Sequence, residues 1–347
     1  KRRTIRWFSI HRWIMERSRK MVRDRSSQGI AEKMNNPKKI AILEGGSSPE
    51  AEVSRSSASQ VFEALDSLGY QAETFEIGHR ELAQRILDFD PDVAFPALHG
   101  PTGEDGTIQG FLEILGIPYV GSGVRGSALA MDKHISKKIF SELDIPNAKA
   151  MLVKNLPDPI EPFIQEVAKS LGERVVVKPV NQGSALGVEI LSDLDKLGGT
   201  LSKSLQYGDC LIEQFFAGKE ITVGILEIGE DVKPHPVIEV VTPENQWYDF
   251  SNRYGENLSK HIVPALLPEK LSTHLQKLAL SAHQALGLQD LSRSDFIVGE
   301  DEEIILLEVN TLPGMTKTSL YPDGARFLGY EFPALIELLI VQAYNRR

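Results

Sequence analysis

The 347-residue sequence predicts an α/β chain, α+β overall, and three observations carry that reading. Short apolar strands alternate with helical stripes over residues 38–121, which argues a parallel sheet with helices on its faces. A second stretch sets two apolar strands, "RVVVKPV" and "CLIEQF", around the glycine-rich "NQGSALG". Near the C-terminus two strands read as a hairpin, and the second, "EIILLEVN", ends in a carboxylate and an amide two residues apart, Glu308 and Asn310.

In chain order, "KKIAILEGG" is a strand ending in glycines. "SSPEAEVSRSSASQVFEALDSLG" follows as a helix, with Val53, Val61, Phe62 and Leu65 as its buried stripe and Gly69 as its C-cap. "DVAFPAL" and "IPYVG" are strands with a helix between them, and "SALAMDKHISKKIFSEL" is a single helix into the next block. "EITVGIL" opens the last block; the polar loop "TPENQWYDFSNRYGENLS", a helix from Pro268, the hairpin strands and a helix after Pro333 complete it. The expected organisation is a basic tail over 1–37, an N-terminal α/β domain over 38–121, a central block over 122–213 and a C-terminal block over 214–347. "GSGVRG" at 121–126 fits the glycine pattern of a dinucleotide-binding turn, but it follows a complete α/β block instead of opening one. It reads as a junction turn.

Hydrophobic content of 41% and charged content of 25% are those of a soluble globular chain with a sizeable core. The apolar run "FPALIELLIVQAY" is broken by Glu337 and is too short to span a bilayer, so no stable membrane insertion is expected. One cysteine, Cys210, excludes an internal disulfide and suits a reducing, cytoplasmic setting. Charge is uneven: the first 36 residues hold 11 Lys and Arg against 3 acids, and the remainder holds 27 against 45. An acidic body argues against nucleic-acid binding. The basic segment is expected to be a disordered tail or an over-long start before Met34; a basic amphipathic surface helix is the other reading.

Residues i and i+2 of a strand face one way, so Glu308 and Asn310 share a face, as do Arg293 and Asp295 on the preceding strand. A register pairing Asp295 with Glu308 also pairs Arg293 with Asn310, and gathers three oxygen donors and a guanidinium on one face. That set fits Mg²⁺ carried by substrate phosphates; surface ion pairs are the competing reading. Lys178, before the glycine-rich loop, and Lys133, in "AMDK", are candidate phosphate partners. Glu213 and Glu220 lie where acids could accept from a base and a ribose.

Six segments carry a resemblance: "GGSSPEAEVS", "LHGPTGEDGTIQGFLEILGIPYVGSG", "AMDKHISK", "KPVNQGSALGV", "YDFSNRY" and "LLEVNTLPGMTKTSLYP". Over about 38–345 the chain resembles the D-alanine:D-alanine ligases of the ATP-grasp superfamily. The resemblance implies an ATP-grasp fold with two subdomains enclosing the nucleotide, ATP as co-substrate, two Mg²⁺ ions (Mn²⁺ substituting) and a homodimer formed through the first block. Glu50 resembles the acid that holds the ammonium of the first D-alanine, and Ser184 and Tyr254 the loop residues that bond with it. Lys133 and Lys178 resemble the phosphate lysines, and Glu213 and Glu220 the adenine-side and ribose acids. Asp295, Glu308 and Asn310 resemble the metal ligands, Arg293 and the Gly314 backbone the oxyanion stabilisers, and Ser319 with Leu320 the seat of the second substrate's carboxylate. His99 resembles a histidine near the first substrate, with a structural histidine as the alternative. Ala51 and Arg253 depart from the residues common at those positions. The activity implied is D-alanyl-D-alanine synthesis through an acyl phosphate, for peptidoglycan precursors. A D-alanyl-D-lactate or other D-dipeptide ligase, or another ATP-grasp carboxylate–amine ligase, is the alternative. Ester-forming members of that family carry a different residue, often histidine, where this sequence has Tyr254, so the resemblance implies the dipeptide; the adjacent Arg253 brings a fixed positive charge that would act the other way.

Overall fold

The computed structural model describes residues 37–243, 259–316 and 319–346. The described residues form three sheets. The first is parallel, β1 (Lys39–Gly45), β2 (Gln71–Ile77) and β3 (Val93–Pro96), in the order β2-β1-β3. The expected "IPYVG" strand is reduced to a single bridge, Tyr119 to Ala94, because the chain leaves the sheet at Gly121, whose N–H is held by the Asp290 carboxylate at 2.7 Å. Helix α1 (Ala51–Ser67) covers this sheet, but its buried stripe is smaller than expected. Ser54, Ser57, Ala58, Val61 and Leu65 face inward, while Phe62 is exposed at the edge. The small residues allow close approach, and Ser54 closes it: its hydroxyl accepts from Gly45 N–H at 2.8 Å and donates to Ala97 C=O at 2.6 Å. Thus the ends of β1 and β3 are tied through α1. Helices α2 (Leu82–Phe89) and α3 (Thr107–Leu115) complete this block.

The single helix expected across "SALAMDKHISKKIFSEL" is two, α4 (Val124–Met131) and α5 (Lys133–Glu142). Asp132 leaves helical geometry at ψ 93°, and its side chain accepts from Ile135 N–H at 2.9 Å, capping α5. A local cap outcompetes continuation of the helix. The break sets Lys133 at the start of α5.

The second sheet is antiparallel, in the order β4-β7-β5-β6: β4 (Ala150–Val153), β5 (Val175–Pro179), β6 (Glu189–Leu191) and β7 (Cys210–Gln214). Helices α6 (Glu161–Leu171) and α7 (Leu197–Ser204) bury its outer face. The third sheet runs β11-β10-β8-β12-β13, with β9 beside β8. Its strands are β8 (Lys219–Ile228), β9 (Asp231–Pro234), β10 (Ile238–Val241), β11 (Lys260–Ile262), β12 (Leu291–Val298) and β13 (Ile304–Asn310). Helix α8 (Glu269–Ala285) packs Leu271, Leu275, Leu278 and Ala282 against Ile221, Val223 and Phe296 of that sheet.

Two short connections follow β13. Helix α9 (Leu320–Phe327) places Tyr321 in the core, its hydroxyl donating to Ile225 C=O at 2.8 Å. Helix α10 (Phe332–Asn345) then leaves the third sheet and lies on the first block, where Leu335, Ile336, Leu339 and Ile340 share a core with Ile40, Ile42, Val61 and Leu65. No single helix among the described residues is long and apolar enough to cross a membrane.

Candidate active site

The β12–β13 register pairs Asp295 with Glu308 and Arg293 with Asn310, the alignment the sequence suggests. It depends on a β-bulge. From the hairpin turn, Val298 pairs with Ile304 and Phe296 with Leu306; the register then shifts, so Leu307 is the extra residue. Without it Asp295 would sit opposite Leu307, and Glu308 opposite Ser294 on the other face.

Asp295 accepts from Arg293 twice, Nε at 2.9 Å and Nη2 at 2.8 Å, from Thr222 Oγ1 at 2.6 Å and from Asn310 Nδ2 at 3.1 Å. Glu308 faces Lys133 Nζ at 3.2 Å, and that ammonium also donates to Gln182 C=O at 2.7 Å. The strand end and the glycine-rich loop therefore meet at Lys133. Glu213, on β7, is buried between two ammonium groups, Lys178 Nζ at 2.9 Å and Lys137 Nζ at 3.0 Å. Burial alone would raise its pKa; the two lysines outweigh burial and hold it below the usual carboxylate range. Burial in turn pulls Lys137 below the usual lysine range.

A cleft of about 910 Å³ between the second and third sheets has Lys133, Lys178, Glu213, Glu220, Asp295, Glu308 and Leu320 on its walls, and Asn310 lies on a small cavity that shares Lys133 and Glu308 with it. Phe215 and Arg174 stand at the same cleft, the guanidinium 3.6 Å from the ring centroid. Among the described residues no cluster of three or more His, Cys, Asp or Glu forms a metal cage. Two carboxylates and an amide on one face of the β12–β13 pair, beside the cleft, instead fit Mg²⁺, which takes one or two carboxylates and completes its shell with phosphate and water.

At the other end, Glu50 stands at the N-terminal boundary of α1 and accepts a hydrogen bond from the Ser184 hydroxyl across 134 residues. Ser184 and Ala185 hold left-handed backbone, φ 45° and 60°, which turns the loop toward Glu50. A Cβ on Gly100 or Gly183 would come within 2.7 or 2.8 Å of Glu50 Oε2, so both glycines make room for the carboxylate. Gly314 is likewise close to Ser319 Oγ, 2.8 Å from an added Cβ, and Ser319 Oγ accepts from Thr316 N–H at 3.0 Å before α9 begins.

His99 is not on the cleft. It lies behind the Leu312–Met315 turn, its Nε2 3.2 Å from Ser57 Oγ, and Ser57 Oγ also accepts from Met315 N–H at 3.4 Å. Burial pushes its imidazole down to about 4, against an opposing hydrogen bond to the Leu312 backbone, so it is neutral near pH 7. Tyr254 and Arg253 lie outside the described residues. Two neighbours of the site have no place among the sequence candidates. Lys137 is four residues after Lys133, one helical turn on, which was a readable signal. Glu104 stands in the quoted "GEDG" and shares a small cavity of about 20 Å³ with Lys133, Gln182 and Glu308; as a loop residue it has no period to mark it.

Known proteins resemble this chain in sequence and fold. A family model described as D-ala D-ala ligase C-terminus matches residues 139–341, and one described as D-ala D-ala ligase N-terminus matches residues 78–122. The D-alanine--D-alanine ligase of Pelotomaculum thermopropionicum is 42% identical over 306 residues, spanning 87% of this chain and 95% of its own. The crystal structure of D-alanine--D-alanine ligase from Bacillus anthracis complexed with ATP superposes with a TM-score of 0.75 at 30% identity, over 89% of this chain and 98% of that one. The VanG D-Ala:D-Ser ligase of Enterococcus faecalis superposes equally, TM-score 0.75 at 28% identity, over 89% and 100%. With sequence kinship over nearly its whole described length and the same ATP-grasp fold, the chain belongs to the D-alanine–D-alanine ligase family.

Proposed function

We propose that this chain joins two D-alanine molecules to D-alanyl-D-alanine at the expense of ATP, releasing ADP and phosphate, in the supply of peptidoglycan precursors. The observation that carries the reading is the meeting at Lys133: one ammonium touches both the Glu308 strand end, on the nucleotide cleft, and the loop that brings Ser184 to Glu50. Phosphate and amino-acid chemistry are thereby held in one site.

ATP lies in the cleft with its phosphates toward Lys133 and Lys178, and Glu220 receives the ribose. Asp295, Glu308 and Asn310 would hold Mg²⁺, which neutralises the phosphates and supports in-line transfer when bound. Glu50 takes the ammonium of the first D-alanine and aims its carboxylate at the γ-phosphate. The acyl phosphate so formed is attacked by the free amine of the second D-alanine, displacing phosphate; that substrate's carboxylate rests at Ser319 and Leu320 at the start of α9, where the positive end of the helix dipole favours an anion. Arg293 and the Gly314 N–H meet the tetrahedral oxyanion. Lys178 and Lys137 both pair with Glu213, so that carboxylate keeps a cationic partner beside the phosphate-binding lysine.

ADP release measured with D-alanine, L-alanine, D-serine and D-lactate tests the reading. Turnover with D-alanine alone and a D-alanyl-D-alanine product is expected; a D-alanine-independent ATPase would refute it. A D-alanyl-D-serine product is the second reading, because the VanG D-Ala:D-Ser ligase shares this fold, and product separation distinguishes the two. The single buried cysteine and the ATP requirement fit a cytoplasmic enzyme. A homodimer is proposed through the first block, where Ile114 on α3 is 87% exposed; sedimentation velocity tests it.

A further inference from the structure

Glu104 has two backbone partners from loops that serve different substrates. Its carboxylate accepts from Gly100 N–H through Oε2 at 2.8 Å and from Leu312 N–H through Oε1 at 3.3 Å, across 208 residues of chain. Gly100 is the residue whose Cα makes room for Glu50 Oε2, so its loop sets the wall behind the first substrate's ammonium. Leu312 opens the turn that carries Gly314 and leads to Ser319, so its loop sets the oxyanion N–H and the second substrate's carboxylate. The Glu104 backbone is fixed as well, its N–H bonding Gly100 C=O at 2.9 Å.

From this geometry we infer that Glu104 is a positioning residue, a carboxylate strap that fixes the spacing between the two D-alanine subsites; the inference rests on the ligase reading above. Leu312 has no room to drift from the other side, because the His99 ring bonds its backbone and Ser57 holds Met315 three residues on. Glu104 therefore closes the front of a turn whose back is already packed. Both of its partners are N–H donors, and a carboxylate accepts from both at once.

Glutamine cannot. It accepts one of the two bonds and turns an –NH₂ against the other N–H. Glu104→Gln is therefore expected to raise the KM for each D-alanine site by about tenfold, and Glu104→Ala, which loses both bonds, by more than about thirtyfold. The KM for ATP should change less than the D-alanine KM in both, because the two lost bonds hold substrate loops and none of Lys178, Glu213 or Glu220 on the nucleotide cleft. The thermal midpoint of Glu104→Gln is measured beside the kinetics. Isotope exchange within ATP in the presence of D-alanine follows acyl-phosphate formation separately from ligation. Unchanged D-alanine KM values in Glu104→Ala, or losses in both variants that move the ATP KM equally and track the folded fraction, would overturn the strap. A wild-type chain that consumes no ATP with D-alanine would instead refute the ligase reading.

Discussion

Two buried carboxylates, Glu213 and Glu50, mark the two ends of the site, and they are held in unlike ways. Glu213 stands on a strand between two ammonium groups at 2.9 and 3.0 Å. Glu50 stands at a helix start, met by a hydroxyl and by two glycines that leave it room. The nucleotide end is thus built from paired full charges on strands and on α5. The amino-acid end is built from loops, a hydroxyl-to-carboxylate hydrogen bond and close backbone approach. Charges on strands can stay fixed while phosphates come and go; a loop-built end can shape itself around a small zwitterion that must be excluded from water once activated.

The sharpest way to test the difference is at the strand end. Glu308→Gln should lower turnover by about a thousandfold while leaving the fold intact, since one charge is removed from the metal-facing set and Lys133 loses its counter-ion. Near-normal activity at ordinary Mg²⁺ would break the assignment. Next comes the charge triad. Glu213→Gln leaves two buried lysines facing each other and should cost about 3 kcal/mol or more, whereas Lys137→Met leaves a neutral Glu213–Lys178 pair and should cost about half as much. Urea unfolding of both variants checks the order, and the reverse order would show that Lys137 is the member that cannot be replaced. At the loop end, Ser184→Ala removes one hydrogen bond to Glu50 and should raise the KM for the first D-alanine about tenfold, with little effect on stability. A stability loss as large as that of Glu213→Gln would erase the contrast between the ends.

The smallest effect concerns support behind the loop end. His235 is fully buried, stacks on Tyr321 of α9 with ring centroids 4.5 Å apart, and is packed against Gly224 and Gly324. Burial pushes its pKa down to about 3, so the folded chain keeps it neutral while the unfolded chain takes a proton below about 6.5. Its contribution is present above that value and is lost as pH falls toward 3, by about 1.4 kcal/mol per pH unit. His235→Phe should flatten the fall in unfolding free energy between pH 6 and pH 5 by about one proton. An unchanged slope would place that proton on another histidine, such as His99 or His283, both also held below their usual range.

The same contrast explains what the sequence disclosed. Strand positions repeat every two residues, so Asp295, Glu308 and Asn310 could be set on one face from the letters alone. The Leu307 bulge could not, because the extra residue is apolar like its neighbours and leaves no mark in the pattern; the expected face is present only because the bulge restores it. Asp132 was readable as a cap only once the helix was seen to break there, since a continuous stripe runs across it. The loop residues follow no period. Glu50 and Ser184 came from resemblance to a family, and Glu104, although inside a quoted motif, was passed over because two backbone N–H partners from distant loops cannot be read from a local string.

The helix that covers the first sheet also sets an order of events in the making of the molecule. Tyr70, just before β2, donates to Glu337 of α10 across 267 residues, and the core of the N-terminal block is completed by Leu335, Ile336, Leu339 and Ile340. A nascent chain grows from its N-terminus, and domains ordinarily mature as they emerge. Here β1, β2 and β3 leave the ribosome before α10 and wait for it, with one apolar face uncovered while the two intervening sheets are made. That block starts earlier than those two sheets and is finished after them, and until α10 arrives the nascent chain exposes that face to chaperones and to neighbouring nascent chains.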